Sequence, residues 1–340
     1  MKRKKLVVPL LVTGVLCVAW SVSGQAPAGQ APAGQGGPPA IVKSPPDTFA
    51  TEIPGVVAAG TRVHLIRDMF QSTEGAIAMP DGSLLFTEQD AGDGRLDRID
   101  KDGNISVYLD NTNRTIGLAY DPKGRLIGAQ SRTPRVGVLS PDRKILAEEF
   151  EGVPLVFPDD LTIDKRGGIY VVDMLQTRFR PVPAGRTKPT IFYVRPEDGK
   201  LIKASDEAAS PNGIILSPDE KTLYVSNGPT IAAWDVQPDG TLRNFRTHAA
   251  LEGLPRNEQG QVRGGGDSIC VDGAGRIYVS SSTGVQVISP EGKYLGTIPI
   301  PLPPQSVAFA GPDKKTLYVV GRGAVYEVAM LAQGIKGRAK

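Results

Sequence analysis

Residues 210–227 read SPNGIILSPDEKTLYVSN. Two apolar runs, IIL and TLYVS, flank SPDEK, a cluster of turn-forming residues, so the segment reads as a β-hairpin. Its first strand is launched by Asn212-Gly213, two residues that strands disfavour. A local turn would account for the pair. Recurrence of the same hairpin elsewhere in the chain offers a better account.

The hairpin returns as EGAIAMPDGSLLFTE from Glu74, IGLAYDPKGRLIGAQ from Ile116 and DDLTIDKRGGIYVVD from Asp159. Beyond residue 227 it returns as DSICVDGAGRIYVSS from Asp267 and QSVAFAGPDKKTLYVVG from Gln305. Each copy is a short apolar strand, an Asp/Pro/Gly turn and a second strand rich in aromatic or β-branched residues. The spacing of roughly 40–55 residues is that of four-stranded propeller blades. Further short strands between the copies, among them RVGVLSPDRKIL, TIFYVRPEDGKLI and VQVISPEGKYL, supply the outer hairpins. No convincing amphipathic helix interrupts residues 55–330. The pattern predicts an all-β fold: a six-bladed β-propeller over residues 51–335, with four-stranded antiparallel blades around a central channel. The strand near GTRVHLIRD is expected to pair with the last blade and close the ring. An array of immunoglobulin-like sandwiches is the competing architecture, and the period argues against it.

Aligned on their turns, the six copies place Glu74, Ile116, Asp159, Asn212, Asp267 and Gln305 at one level of the channel. Glu74, Asp159, Asn212 and Asp267 carry oxygens suited to a hard cation, and no Lys or Arg falls at that level. Convergent carboxylates repel, and a bound divalent cation removes the repulsion. Oxygen ligands favour Ca²⁺, with Mg²⁺ or Mn²⁺ as substitutes and Zn²⁺ disfavoured. Asn212 would then open its strand because its carbonyl oxygen is needed in the channel. Taken singly, each of the four reads as a turn or cap residue before it reads as a ligand; the shared level is the argument.

Composition narrows the classes. The chain has 340 residues, of which 40% are hydrophobic and 22% charged, with 40 Gly and 29 Pro, a globular, turn-rich balance. His64 and His248 are the only histidines; far apart, they give poor support to a His-based zinc site or a Ser-His-Asp triad. Residues 1–24 read as a signal peptide: a basic MKRKK, an apolar run, and small Val22 and Gly24 before a cleavage point. A secreted or periplasmic location follows, with no stable membrane anchor after cleavage. Removing the leader takes four positive charges and moves the net charge from +3 to −1, which gives no support for nucleic-acid binding. Cys270 is the one cysteine left, so the fold has no internal disulfide. Residues 25–50, rich in Pro, Gly, Ala and Gln, read as a flexible tether.

The quoted hairpins resemble the SMP-30/gluconolactonase/LRE-like family of six-bladed propellers, from about Glu74 to Pro301. Members bind a divalent metal through a Glu, an Asn and an Asp, which the resemblance carries to Glu74, Asn212 and Asp267. It implies hydrolysis of lactones, or of organophosphates in a related branch. One departure is informative. Sugar-lactone members read Arg-x-Asn-Asp where this chain has FPDD, residues 157–160. Phe157 replaces the Arg, which weakens the case for a hydroxyl-rich sugar, and Asp159 replaces the Asn. Phe157 is equally a core filler.

The expected activity is metal-assisted hydrolysis of a small-molecule lactone or related ester, a carboxylic-ester hydrolase reaction. Glu74 and Asn212 would be ligands, with Asp159 a further one. Asp267 would be ligand and base, with Asp159 the alternative base. Phe157, Asp159, Asp160 and Ser268 would face substrate. Ser268 lacks a His partner and is not a nucleophile. Arg178, Arg180 and Arg186 lie in a long loop after blade three, read as solvated loop or as lid. The glycines of LPRNEQGQVRGGG let backbone approach the site or form a loose insertion. A phosphotriesterase-like hydrolase on the same cation and a non-catalytic binding propeller are the rival readings.

Overall fold

The structure is a computed structural model and describes residues 43–176 and 180–340. The expected leader and most of the expected tether lie outside the described residues, as does Arg178.

Strands of five or six apolar residues, too short to form a core alone, bury both faces by stacking as blades. Six antiparallel blades of four strands result, the last extended by a fifth, and no helix occurs among the described residues. The chain forms a six-bladed β-propeller. Its innermost strands are Thr73–Ala78, Thr115–Tyr120, Pro158–Ile163, Pro211–Leu216, Gly266–Val271 and Ser306–Ala310. Each of the six touches the next, and the last touches the first. Closure comes from Arg62–Arg67, which pairs antiparallel with Ala324–Ala329, Val63 opposite Val328. This is the closing strand expected near GTRVHLIRD, and it leaves blade six with no free edge at that position.

The core is distributed rather than central. Side chains alternate along each strand, so one strand feeds two interfaces. Ile214 and Leu216 pack toward Tyr170 and Val172 of blade three, whereas Ile215 packs toward Ile269 and Val271 of blade five. One buried apolar cluster fills each of the six gaps between blades. Innermost strands are therefore mostly buried, Thr73–Ala78 from end to end, while outermost strands such as Ile105–Asp110 face solvent.

The turn of each inner hairpin is held by one aspartate. The carboxylates of Asp81, Asp121, Asp164, Asp219, Asp272 and Asp313 accept hydrogen bonds from backbone amides two residues on. That is the Asx-turn chemistry behind the recurring PDG, DPKG and DKRG runs.

The expected tether ends sooner than residue 50. Thr48–Phe49 adds a fifth strand to blade six, and Asp47 accepts from Leu65 N at 3.0 Å and pairs with Arg62. A short edge strand and one carboxylate fix a stretch whose composition alone suggested nothing to bury.

Candidate active site

Five of the six inner strands carry one extra residue against their partner strand. The register jumps between Glu74 and Ile77, Thr115 and Leu118, Pro158 and Leu161, Pro211 and Ile214, and Gly266 and Ile269. Blade six runs without a shift. A bulge re-aims the side chain beside it and bends the strand. Here all five fall at the same level, the N-terminal end of the inner strands, and they turn Glu74, Ile116, Asp159, Asn212 and Asp267 into one cavity. Ser306 lines it from blade six. The void measures about 10 Å³, room for one water-sized occupant.

The bulge explains why Asn212 is followed by Gly. A Cβ on Gly213 would stand 2.4 Å from the Asp267 carbonyl oxygen and 2.6 Å from Ser268 Cα. Gly75 meets Ile116 O at 2.0 Å, and Gly117 meets Asp160 Cα at 2.6 Å, in the same way. Glycine after the channel residue lets the next inner strand close in. Gly213→Ala should therefore destabilise the protein by about 1–3 kcal/mol, because backbone and not a mobile side chain must move. It should also weaken cation binding by separating Asn212 from Asp267. Urea denaturation checks the first effect, and an unchanged midpoint would mean that the two strands tolerate a methyl group.

Serines stitch the blades at this level. Ser226 accepts from Gly213 N at 2.8 Å and donates to Asp267 O. Ser280 donates to Ser268 O at 3.0 Å and Gln305 O at 2.9 Å. Ser306 accepts from Ala76 N at 3.0 Å and donates to Ser268 Oγ at 3.2 Å. Ser268 thus has its hydroxyl turned to blade six. The one mark of Ser226 and Ser280 in the sequence is that YVSN and YVSS repeat the serine at the equivalent place.

The acidic groups are electrostatically crowded. Glu74 is 7% exposed; burial, then the charges of Asp267, Asp159 and Asp160, push its carboxyl well above the usual range against the pull of Arg322. Gln305, the sixth member of the expected ring, donates its side-chain amide to Glu74 Oε1 at 2.6 Å. Asp159, also buried, is raised to about 7 by burial and then Asp160, opposed by Arg114. Half-buried Asp267 is raised as well, by desolvation in the packed channel and then by Asp159.

No Lys or Arg is among the described residues lining the cavity, but basic groups approach from behind its wall. Lys340 pairs with both oxygens of Asp160. Asp160 also accepts from Leu161 N at 2.9 Å and Ile214 N at 3.3 Å, so its carboxylate is engaged within the wall. Arg114, 1% exposed, pairs with Asp90 at 3.0 Å and lies 5.9 Å from the Phe157 ring. Neither Lys340 nor Arg114 carries a local motif that would have announced it.

Phe157 is buried in an apolar cluster with Ile116, Val156, Met174, Leu175 and Val182. It forms a greasy flank beside Ile116, which itself lines the cavity. Just above, Asp173 accepts from Val156 N at 3.0 Å and Phe157 N at 2.7 Å and pairs with Arg186. Arg186, expected in a solvated loop or lid, is buried and stacks 4.9 Å from the Phe192 ring; it clamps its loop to blade three. Arg180 reaches Arg132 O across to blade two. In the segment before Asp267, Gly265 lies so near Gly228 O, at 2.3 Å from a built Cβ, that backbone approach is its role. His64 and His248 do not line the cavity.

The donor set suits a hard divalent cation. Two carboxylates and an amide, Glu74, Asp267 and Asn212, border one ion-sized void, and crowding makes their charge costly without a counter-ion. Among the described residues no three His, Cys, Asp or Glu side chains are gathered tightly enough to hold a metal ion.

Fold and site define a class: six-bladed propellers with an acidic, oxygen-lined recess at one end of the axial channel. The chain belongs to the SMP-30/gluconolactonase/LRE-like family, whose profile matches residues 72–322. It is 26% identical to the gluconolactonase of Zymomonas mobilis over 313 residues, covering 80% of this chain and 82% of that protein. It is 30% identical to lactonase drp35 of Staphylococcus saprophyticus over 148 residues, 42% of each. Among solved structures it resembles XC5397 of Xanthomonas campestris, described as a gluconolactonase, with a TM-score of 0.70 and 25% identity over 85% of this chain and 99% of that one.

Proposed function

We propose that this protein is an exported, divalent-cation-dependent hydrolase that opens lactones. The observation that carries the reading is the meeting of Glu74, Asn212, Asp267 and Asp159, from four blades, on one ion-sized void. The names of its relatives supply the lactone. The leader-like residues 1–24 supply the export.

Glu74, Asn212 and Asp267 would hold the cation, with Gln305 fixing Glu74. When bound, a hard cation, Ca²⁺ foremost, polarises the ester carbonyl as a Lewis acid. Asp159, whose carboxyl is raised in the metal-free chain by burial and then Asp160, would be drawn toward its ionised form by a cation and so stand ready as the base. It takes a proton from the attacking water and returns one to the ring oxygen as the acyl bond breaks. Water is thereby added across the C–O bond and the product is a hydroxy acid. Asp267 is the alternative acceptor. Phe157 and its apolar neighbours favour a lactone with a hydrocarbon flank over a polyhydroxylated one.

The test is a lactone panel with purified protein before and after exhaustive chelation. Turnover should vanish on chelation and return with CaCl₂, and alkyl-substituted lactones should exceed gluconolactone in kcat/KM. Activity that survives metal removal would end the reading. A chain that binds calcium yet opens no lactone would favour a binding role.

A further inference from the structure

The hairpin turns lie at the end of the channel opposite the candidate site, and residues 330–340 cross that end as a strap. Gly273 N donates to Gln333 O and Gly334 N to Lys314 O, each at 2.8 Å. Arg338 donates to Leu216 O and Ser217 O and pairs with Glu220 at 2.8 Å. Ala78 N donates to Ala339 O at 2.8 Å. Blades five, six, four and one thus each hold the strap, beside a cavity of about 710 Å³ that it helps to line. Lys340 reaches into blade three, where its ammonium meets both Asp160 oxygens; the two side chains are 5% and 6% exposed.

The position of that ammonium matters because of what stands beside it. Asp160 borders the same void as Glu74, Asp159 and Asp267. Three carboxylates on one small void, with that of Asp160 close behind them in the wall, need more than one positive charge nearby. A buried carboxylate must be paired, and its partner must be held where it is needed. The strap does this holding: its backbone is fixed by blades one, five and six and its Arg338 side chain by blade four, so the Lys340 side chain is presented at Asp160 at little further entropic cost.

We propose that Lys340 is a tethered counter-ion, a side-chain ammonium occupying the place beneath the carboxylate ring where a second cation would otherwise sit, and that this place becomes a cation site once the ammonium is removed. The inference concerns Asp160 and the strap, and it stands whichever ester is cleaved above them.

Lys340→Met tests it, with Asp160→Asn/Lys340→Met as companion. Each is compared with the full-length parent by calorimetric titration with CaCl₂ and by melting in EDTA and in calcium. Lys340→Met should bind one more equivalent of Ca²⁺ than the parent, whatever number the parent binds. In EDTA its Tm should fall by about 5–10 °C, through the unpaired carboxylate, and calcium should restore most of the loss. The double variant, with neither charge, should bind no extra calcium and should melt near the parent in EDTA. It also decides the case if Lys340→Met alone fails to fold. An unchanged stoichiometry in Lys340→Met, or a double variant as unstable as the single one, would overturn the proposal and leave Lys340 as packing for the strap. A parent that binds no calcium, beside a Lys340→Met variant that binds one equivalent, would remove the proposed hydrolase mechanism while supporting the counter-ion.

Discussion

Asp267→Asn should lose lactone turnover by about three orders of magnitude while melting at a higher temperature than the parent in metal-free buffer. The two effects share one cause. Asp267 stands in a recess where Asp159 and burial already oppose its charge, so the amide removes a repulsion that the apo fold must otherwise bear. The same amide halves the carboxylate charge of the Glu74/Asp267 pair that would hold a cation. Calcium affinity should drop by at least about 100-fold, since even residues one step behind a metal ligand change affinity by roughly 10–100-fold. A cation that stabilises transition-state charge supplies several kcal/mol, and each 1.36 kcal/mol is tenfold in rate. Asparagine is nearly isosteric, so backbone contacts such as Ser226 to Asp267 O should persist. Titration calorimetry and steady-state kinetics on the same preparation check both halves. Parent-like calcium affinity in the variant would place any cation elsewhere in the molecule.

The repeating hairpin was legible in the sequence because its ingredients are local. Period-two apolar runs, a turn aspartate and a spacing set by four strands all lie within one blade, and so does the level of the channel residues counted back from the turn. The bulges were not legible, because a register shift is defined by the partner strand. Only with them does Asn212-Gly213 make full sense: Asn for its oxygen, Gly for the approach of Asp267 and Ser268. Contacts between blades were equally hidden. Nothing near Asp160 announces Lys340, 180 positions away, and nothing in RFRPVPAGRTKP separates the clamp Arg186 from its neighbours until Asp173 is seen beside it. Sequence order encodes the blade; the filling of the channel depends on how the closed ring brings distant residues together.

Phe157 shows the same division. The sequence reads it as much as a core residue as a substrate contact, and its place is that of a core residue behind the cavity wall. It packs with Ile116 and Val182 inside an apolar cluster, while Ile116 itself borders the void. The cluster is therefore both wall and filler. Arg114 lies across the Phe157 ring and lowers the carboxyl of Asp159 against its burial, so a guanidinium acts on the site from blade two.

Metal-free protein should be most stable in mild acid and should weaken as the pH rises toward 8, the reverse of a fold held by ordinary ion-paired carboxylates. The sign follows from the direction of the shifts. Asp159 is raised from 3.8 to about 7, so between those values the folded chain keeps a proton that the unfolded chain has released. Its contribution is fully present below about pH 4 and disappears as pH climbs through 7. At 1.36 kcal/mol per pH unit that amounts to roughly 4 kcal/mol, and Glu74 and Asp267, raised by the same crowding, act in the same direction. Asp97, raised to about 6 by burial, adds to the loss at its lower end. Exposed partners such as Asp81 and Asp198, whose carboxyls are lowered, oppose it only in stronger acid. A divalent cation among these groups favours their ionised forms and so displaces protons. Calcium should therefore stabilise the protein little at pH 5 and strongly at pH 8, flattening the decline. Melting curves between pH 5 and 8.5 in EDTA and in millimolar CaCl₂ give both traces. A metal-free Tm that is level or rising across that interval would mean that the carboxylates of Glu74, Asp159 and Asp267 do not share one field, and the cation would then have no electrostatic work to do there.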